Sequence, residues 1–118
     1  RLQAHAVEAA EQCGGTFVPP VDELAKLSAI LDTWPADRHL LFCDETKVGE
    51  AVANLADQRH DKWAILIGPE GGFSDEEAVR LRALDFVSSI SLGPRILRAD
   101  TAAVAALAVW QTALGDWR

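Results

Sequence analysis

The chain reads as an α/β domain, a mostly parallel sheet flanked by helices. Strand-like segments alternate with helix-like ones along the 118 residues. The strand-like segments are continuous apolar runs, the pattern of strands covered on both faces. A third observation is Ile65-Leu66-Ile67 followed by Gly68-Pro69-Glu70-Gly71-Gly72-Phe73-Ser74, a buried strand end joined to a helix start through a glycine-rich turn.

Each element has a local reason. Leu2 to Gln12 is helical, with Ala4, Ala6, Val7, Ala9 and Ala10 among Glu8 and Glu11, and Gly14-Gly15 stop it. Thr16-Phe17-Val18 with Pro19-Pro20 is an extended link. Asp22 is placed to cap a short helix with Leu24, Leu27, Ile30 and Leu31 on its apolar face, ended by Trp34-Pro35. His39 to Cys43 is a buried strand running into Asp44-Glu45. Gly49 to Gln58 is a weak helix with Val52, Leu55 and Ala56 inward, and Lys62 to Ile67 is the second strand. Ser74 and Glu77 have the spacing of a capping box, which opens a helix to Leu84 with Ala78, Leu81 and Leu84 toward the core. Phe86 to Leu92 is the third strand. After the loop Gly93 to Arg98, Asp100 or Thr101 caps an Ala-rich helix, Ala102 to Leu114, ended by Gly115. That helix is apolar nearly all round, which predicts burial on more than one face.

The length suits one compact domain with a core. A net charge of −7 argues against a stand-alone nucleic-acid binder, because a grip on phosphates needs basic residues. It leaves room for an enzyme whose substrate grip sits elsewhere. No apolar run is long enough to cross a bilayer; the longest is Ala102 to Trp110. The chain opens on Arg1 with no signal peptide, so it is expected to be a cytoplasmic piece of a longer protein. Cys13 and Cys43 are expected free and buried.

In a parallel sheet, ligands bind beyond the carboxyl ends of the strands. Asp44-Glu45, the Gly68 to Gly72 turn and the Gly93 to Arg98 loop all fall there and make one candidate pocket. The plainer alternative is a tight turn with no ligand. The turn lacks the Gly-Lys-Ser/Thr ending of a phosphate loop and the Gly-x-Gly-x-x-Gly of a dinucleotide site. Glu70, Asp75, Glu76 and Glu77 put negative charge where a phosphate would lie. A neutral or cationic ligand fits better, and S-adenosylmethionine has a positive sulfonium. Arg95 and Arg98, with Ile96 and Leu97 between them, suit an anionic substrate such as RNA. Their alternative role is solvated charge or a cap on backbone carbonyls. His5, His39 and His60 lie apart with no metal-ligand spacing to the cysteines, so no metal is expected. Trp63 and Trp110 are expected to pack rather than stack on bases.

The segments Gly68-Pro69-Glu70-Gly71-Gly72-Phe73-Ser74 and Leu92-Gly93-Pro94-Arg95-Ile96-Leu97-Arg98-Ala99-Asp100-Thr101-Ala102 carry a family resemblance. With Ala9-Ala10-Glu11-Gln12-Cys13 and Val18-Pro19 upstream, the chain resembles the RsmE-type ribosomal RNA uridine-N3 methyltransferases of the SPOUT class. The resemblance covers nearly all of residues 1–118. It implies a SPOUT-type fold with a C-terminal trefoil knot, a homodimer, no membrane association, and a separate N-terminal RNA-binding β-barrel domain that this chain lacks. Its partner would be 16S ribosomal RNA or the small ribosomal subunit.

By the same resemblance, S-adenosylmethionine would lie against Ile67, Gly68, Glu70, Gly71, Gly72, Leu92, Gly93, Ile96 and Leu97, with Phe42 behind. Arg95 and Arg98 would hold substrate. Arg98 and Glu70 would be the catalytic pair, Glu70 as base or ligand orienter. Gly15 stands where the family usually has an arginine, and Asp100 where glutamate is commoner. The rival functions are a methyltransferase of this class on another RNA such as tRNA, a non-catalytic dimerisation module, and a nucleotide-binding α/β module.

Overall fold

The structure is a computed structural model and describes residues 2–15, 17–44, 60–69, 71–92 and 97–117. Residues 1–34 and 35–118 form two compact units. In the first, α1 (Leu2–Cys13) ends where the Gly15 amide donates to the Ala10 carbonyl at 2.8 Å, with Gly14 in the left-handed region at φ 73°. The second helix, α2 (Leu27–Asp32), starts later than the capping pattern at Asp22 predicts. Its N-cap is Lys26, whose side chain makes no cap hydrogen bond, and Leu24 is fully exposed. The cause lies in α1. The Gln3 side-chain amide donates to the Pro19 carbonyl at 3.0 Å, and its oxygen accepts the Val21 amide at 2.7 Å. These bonds hold the chain extended after the two prolines, so a helix cannot form there.

The second unit is built on a three-stranded sheet in the order β2-β1-β3, with β1 at Arg38–Cys43, β2 at Lys62–Leu66 and β3 at Val87–Ile90. Both pairings are parallel, as the continuous apolar runs predict, and Leu41 aligns with Ile65 of β2 and Ser88 of β3. Central β1 buries Leu40, Leu41 and Phe42 almost completely. Successive side chains on a strand point to opposite faces. On one face Leu41 and Ile90 form a cluster with Trp63 and Ile65, covered by Val109, Trp110, Ala113 and Leu114. The last four belong to α4 (Ala99–Ala113) and its C-cap Leu114. On the other face Phe42 meets Phe73 edge-on, centroids 5.3 Å apart, just before α3 (Asp75–Ala83). The sheet is thus covered on both sides.

Helix α3 starts where its sequence says. Ser74 Oγ accepts the Glu77 amide at 3.1 Å, and the Ser74 amide donates to Glu77 Oε1 at 2.8 Å. Helix α4 begins three residues before the position read from its caps. Arg98 is its N-cap, and the Arg98 carbonyl already accepts the Ala102 amide at 2.7 Å. Asp100 sits inside the first turn, where its Oδ1 takes the Thr101 amide. Burial on more than one face of α4 does not occur among the described residues. Ala106 is buried, whereas Val104 and Leu107 stand 69% and 53% exposed. The expected helix Gly49 to Gln58 lies outside the described residues, as do the segments (45–59 and 93–96) that would decide the threading of a knot.

Candidate functional site

Parallel strands bring their carboxyl ends to one edge, and three connections leave the sheet there: after Asp44, after Leu66 and after Ile90. Ile67, Gly68, Gly71, Gly72 and Leu92 follow the strands at this edge, and Leu97 is described just before α4. Glu70, Gly93, Arg95 and Ile96 lie outside the described residues. Phe42 is 1% exposed under the Phe73 ring, so it supports the edge from behind.

The turn after β2 closes by a hydrogen bond from the Gly72 amide to the Pro69 carbonyl at 2.8 Å. Its glycines answer to different needs. Gly72 has φ 77°, which disfavours any side chain. Gly68 lies under Phe73, whose Cε2 would stand 2.9 Å from an added Cβ. Gly71 differs. It is exposed, and among the described residues nothing lies within 4 Å of where a Cβ would be. Among the described residues, no contact requires glycine at 71. Bare backbone facing open space is what close approach of a ligand requires.

Charge around the turn is largely committed. Glu77 is held in the capping box, and Asp75, Glu76 and Glu77 occupy the positive end of α3, so an anion gains little there. Asp44, at the end of β1, has a side chain only 1% exposed and is gripped from α3. Arg82 Nε donates to Asp44 Oδ2 at 2.8 Å and Nη2 to Oδ1 at 3.2 Å, a two-pronged contact the sequence did not announce. The Asp44 carboxylate in turn raises the Arg82 guanidinium above its ordinary value. Arg98 is 80% exposed in its side chain, with Nε 3.6 Å from the equally open Asp100 carboxylate. Such a pair is weak in water, so the guanidinium is readily redirected to another anion.

The histidines are not all apart. His39 and His60 stack with centroids 3.8 Å apart and planes 4° from parallel, and both meet Trp63 edge-on. His39 Nε2 shares a 2.7 Å hydrogen bond with Ser88 Oγ. Burial, then the neighbouring His60, holds the His39 imidazole below its ordinary value of 6.5. This cluster is at the amino ends of the strands, opposite the glycine turn, beside Asp37, Arg38, Asp61 and Asp85. No group of three or more potential metal ligands occurs among the described residues. Both cysteines are free, but Cys13 is exposed rather than buried. Burial pushes the Cys43 thiol up to about 11, which leaves it protonated and unreactive near neutrality. Trp63 and Trp110 pack on the Leu41–Ile90 cluster as expected.

Residues 1–111 match the family described as RNA methyltransferase domain. The chain is similar to Ribosomal RNA small subunit methyltransferase E of Rickettsia conorii, 35% identical over 92% of this chain and 44% of that protein. It is also similar to the protein of the same name from Bacillus subtilis, 36% identical over 92% of this chain and 45% of that one. Among solved structures, the Neisseria gonorrhoeae Ribosomal RNA small subunit methyltransferase E bound to S-adenosyl methionine superposes with a TM-score of 0.80 at 32% identity. That match covers 98% of this chain and 47% of the other. A Legionella pneumophila methyltransferase in complex with bound SAM gives 0.78 at 34% identity, over 94% and 44% of the two chains. The chain spans less than half the length of the relatives it matches.

Proposed function

The chain belongs to the RNA methyltransferase domain family, and from that premise we propose that it is the catalytic domain of an S-adenosylmethionine-dependent methyltransferase acting on N3 of a uridine in 16S ribosomal RNA. The observation that carries the reading is Gly71: a glycine exposed at the carboxyl edge of a parallel sheet, with none of the described residues near where a side chain would begin. The similar proteins from Neisseria and Legionella, described with bound SAM, support the choice of methyl donor. The names of the Rickettsia and Bacillus relatives support the ribosomal substrate.

The donor fits the residues present, because the turn offers main-chain hydrogen-bonding groups without side chains and no cation that would repel a sulfonium. The backbone of Gly68, Glu70, Gly71, Gly72 and Gly93 would hold its nucleoside half. Ile67, Leu92, Ile96 and Leu97 would supply apolar walls, with Phe42 behind. When bound, the donor supplies a methyl group on a positively charged sulfur. Arg98 orients the uridine or its phosphate and stabilises negative charge on the base oxygens as the N3 proton leaves, and Arg95 adds a second anchor. Glu70 accepts that proton or orients the donor.

A trefoil knot formed by the C-terminal third belongs to the same proposal, as does a homodimer. The dimer is supported by the exposed Val104 and Leu107 of α4, and by an open apolar groove of about 350 Å³ that Leu107 lines with Trp63, Ile65, Ile67, Ala103 and Trp110. The RNA-binding β-barrel domain would lie in a part of the longer protein beyond residues 1–118, consistent with relatives more than twice as long. A cytoplasmic location belongs to the same proposal, as the place where ribosomal RNA is met. Titration calorimetry with S-adenosylmethionine and with ATP tests the site: the first is expected to bind and the second not, and the reverse result overturns the reading. Methyl transfer to 16S ribosomal RNA by the longer protein tests the activity.

A further inference from the structure

The Asp44–Arg82 ion pair lies outside the groups assigned to donor or substrate, yet it sits between the two elements that shape the site. Helix α3 begins directly after the glycine turn, and its buried side chains are Ala78 and Leu81. These apolar contacts, with Leu81 fully buried, press the helix onto its neighbours, but burial has no direction and does not by itself fix the axial position. A bidentate guanidinium–carboxylate contact does have direction. Asp44 is fixed on the sheet side: its amide donates to the Ile90 carbonyl at 2.9 Å, and its side chain is 1% exposed. Arg82 is near the far end of α3, but helix side chains tilt toward the N-terminus. The guanidinium is thereby carried back toward the carboxyl edge, where it reaches Asp44.

We infer that Arg82 is a positioning residue: its fork on Asp44 sets the axial position of α3, and so places the Gly68 to Gly72 turn for the methyl donor. The inference rests on the proposed function for the identity of that ligand. The role given to the pair is exerted through the turn rather than by contact with donor or RNA. The brace also places a cation on a buried carboxylate beside the site.

The test uses Arg82→Lys in the 118-residue chain. Lysine keeps a positive charge opposite Asp44 but has no planar fork, so the fold is retained while the directional contact is lost. Arg82→Met, measured at a temperature where circular dichroism shows it folded, removes both. Two readouts are taken: the Kd for S-adenosylmethionine by calorimetry, and the amide resonances of Gly71 and Gly72 in the ligand-free protein. For Arg82→Lys we expect affinity to fall on the order of tenfold. The turn resonances should move, while those of Lys62 and Trp63 at the other end of β2 stay in place. A merely structural residue would lower the melting temperature without singling out the turn, and that result overturns the role, as does unchanged affinity. Wild-type protein that does not bind S-adenosylmethionine overturns the proposed function instead, and the Gly71 and Gly72 resonances alone then decide the brace.

Discussion

Gly71 separates what the fold needs from what a ligand needs. An alanine there meets none of the described residues, so Gly71→Ala is expected to leave stability within about 0.5 kcal/mol of wild type while weakening S-adenosylmethionine binding. Gly68→Ala should lower stability as well as affinity, because its methyl would push into Phe73, an overpacking cost of about 1–3 kcal/mol. Urea melts paired with calorimetry distinguish the two, and a Gly71→Ala protein that binds as wild type would remove the donor from this turn. Arg98 makes a different prediction. Its side chain is solvated and only loosely tied to Asp100, so Arg98→Ala should barely change stability or donor affinity yet lower kcat on RNA by a factor of about 10² or more. Equal losses in donor affinity and turnover would contradict its assignment to the substrate. His39 gives a prediction in pH. Its native imidazole holds a proton more weakly than the ordinary value of 6.5, so the unfolded chain binds more protons just below that pH. Stability is therefore complete above about pH 6.5, falls as the pH drops through that value, and levels off once the native ring is itself protonated. His39→Gln should flatten this slope in urea melts taken between neutral and acidic pH, and an unchanged slope would assign it to another group.

At the scale of elements, α3 owes its start to local chemistry, which makes the effect of damaging it calculable. Ser74→Ala removes the oxygen that accepts the Glu77 amide and should cost about 0.5–2 kcal/mol, read as a lower urea midpoint with an unchanged m-value. The same locality explains what could be read before the structure. The capping box, the glycine turn and the parallel sheet depend on neighbours in sequence or on burial of whole runs, and all three are where the residues place them. The start of α2 was not legible, because it is decided by Gln3 reaching across to Pro19 and Val21. The start of α4 was misplaced because Asp100 and Thr101 resemble caps but lie inside the first turn. The His39–His60 stack and the Asp44–Arg82 fork join residues far apart in the chain, and only strand register and the path of α3 bring them together. Of the candidate site, the bare turn was readable from its glycines, but Phe73, which folds over Gly68 onto Phe42, carries no periodic signal.

For the whole molecule, the balance of charge and apolar surface says what this chain can do alone. Its net charge is −7, and acidic side chains crowd the helix that follows the glycine turn. RNA binding gains much of its strength from counterions released when basic groups neutralise phosphates, and each such contact to a single strand adds about −0.7 to the slope of log K against log salt. Arg95 and Arg98 are the basic residues assigned to substrate, so this chain by itself should bind a 16S ribosomal RNA fragment weakly and with a shallow slope. Donor binding needs no such field and should persist in the same preparation. The longer protein, if its remaining sequence carries the basic grip, should bind the same fragment far more tightly and lose affinity steeply as salt is raised. Fluorescence anisotropy over a salt series, run on both forms, measures this directly. Tight and steeply salt-dependent binding by the 118-residue chain would show that the acidic domain carries its own RNA surface. Weak binding by both forms, with donor binding intact, would instead detach the site from ribosomal RNA and leave a methyl-donor domain whose acceptor is a smaller or less charged molecule.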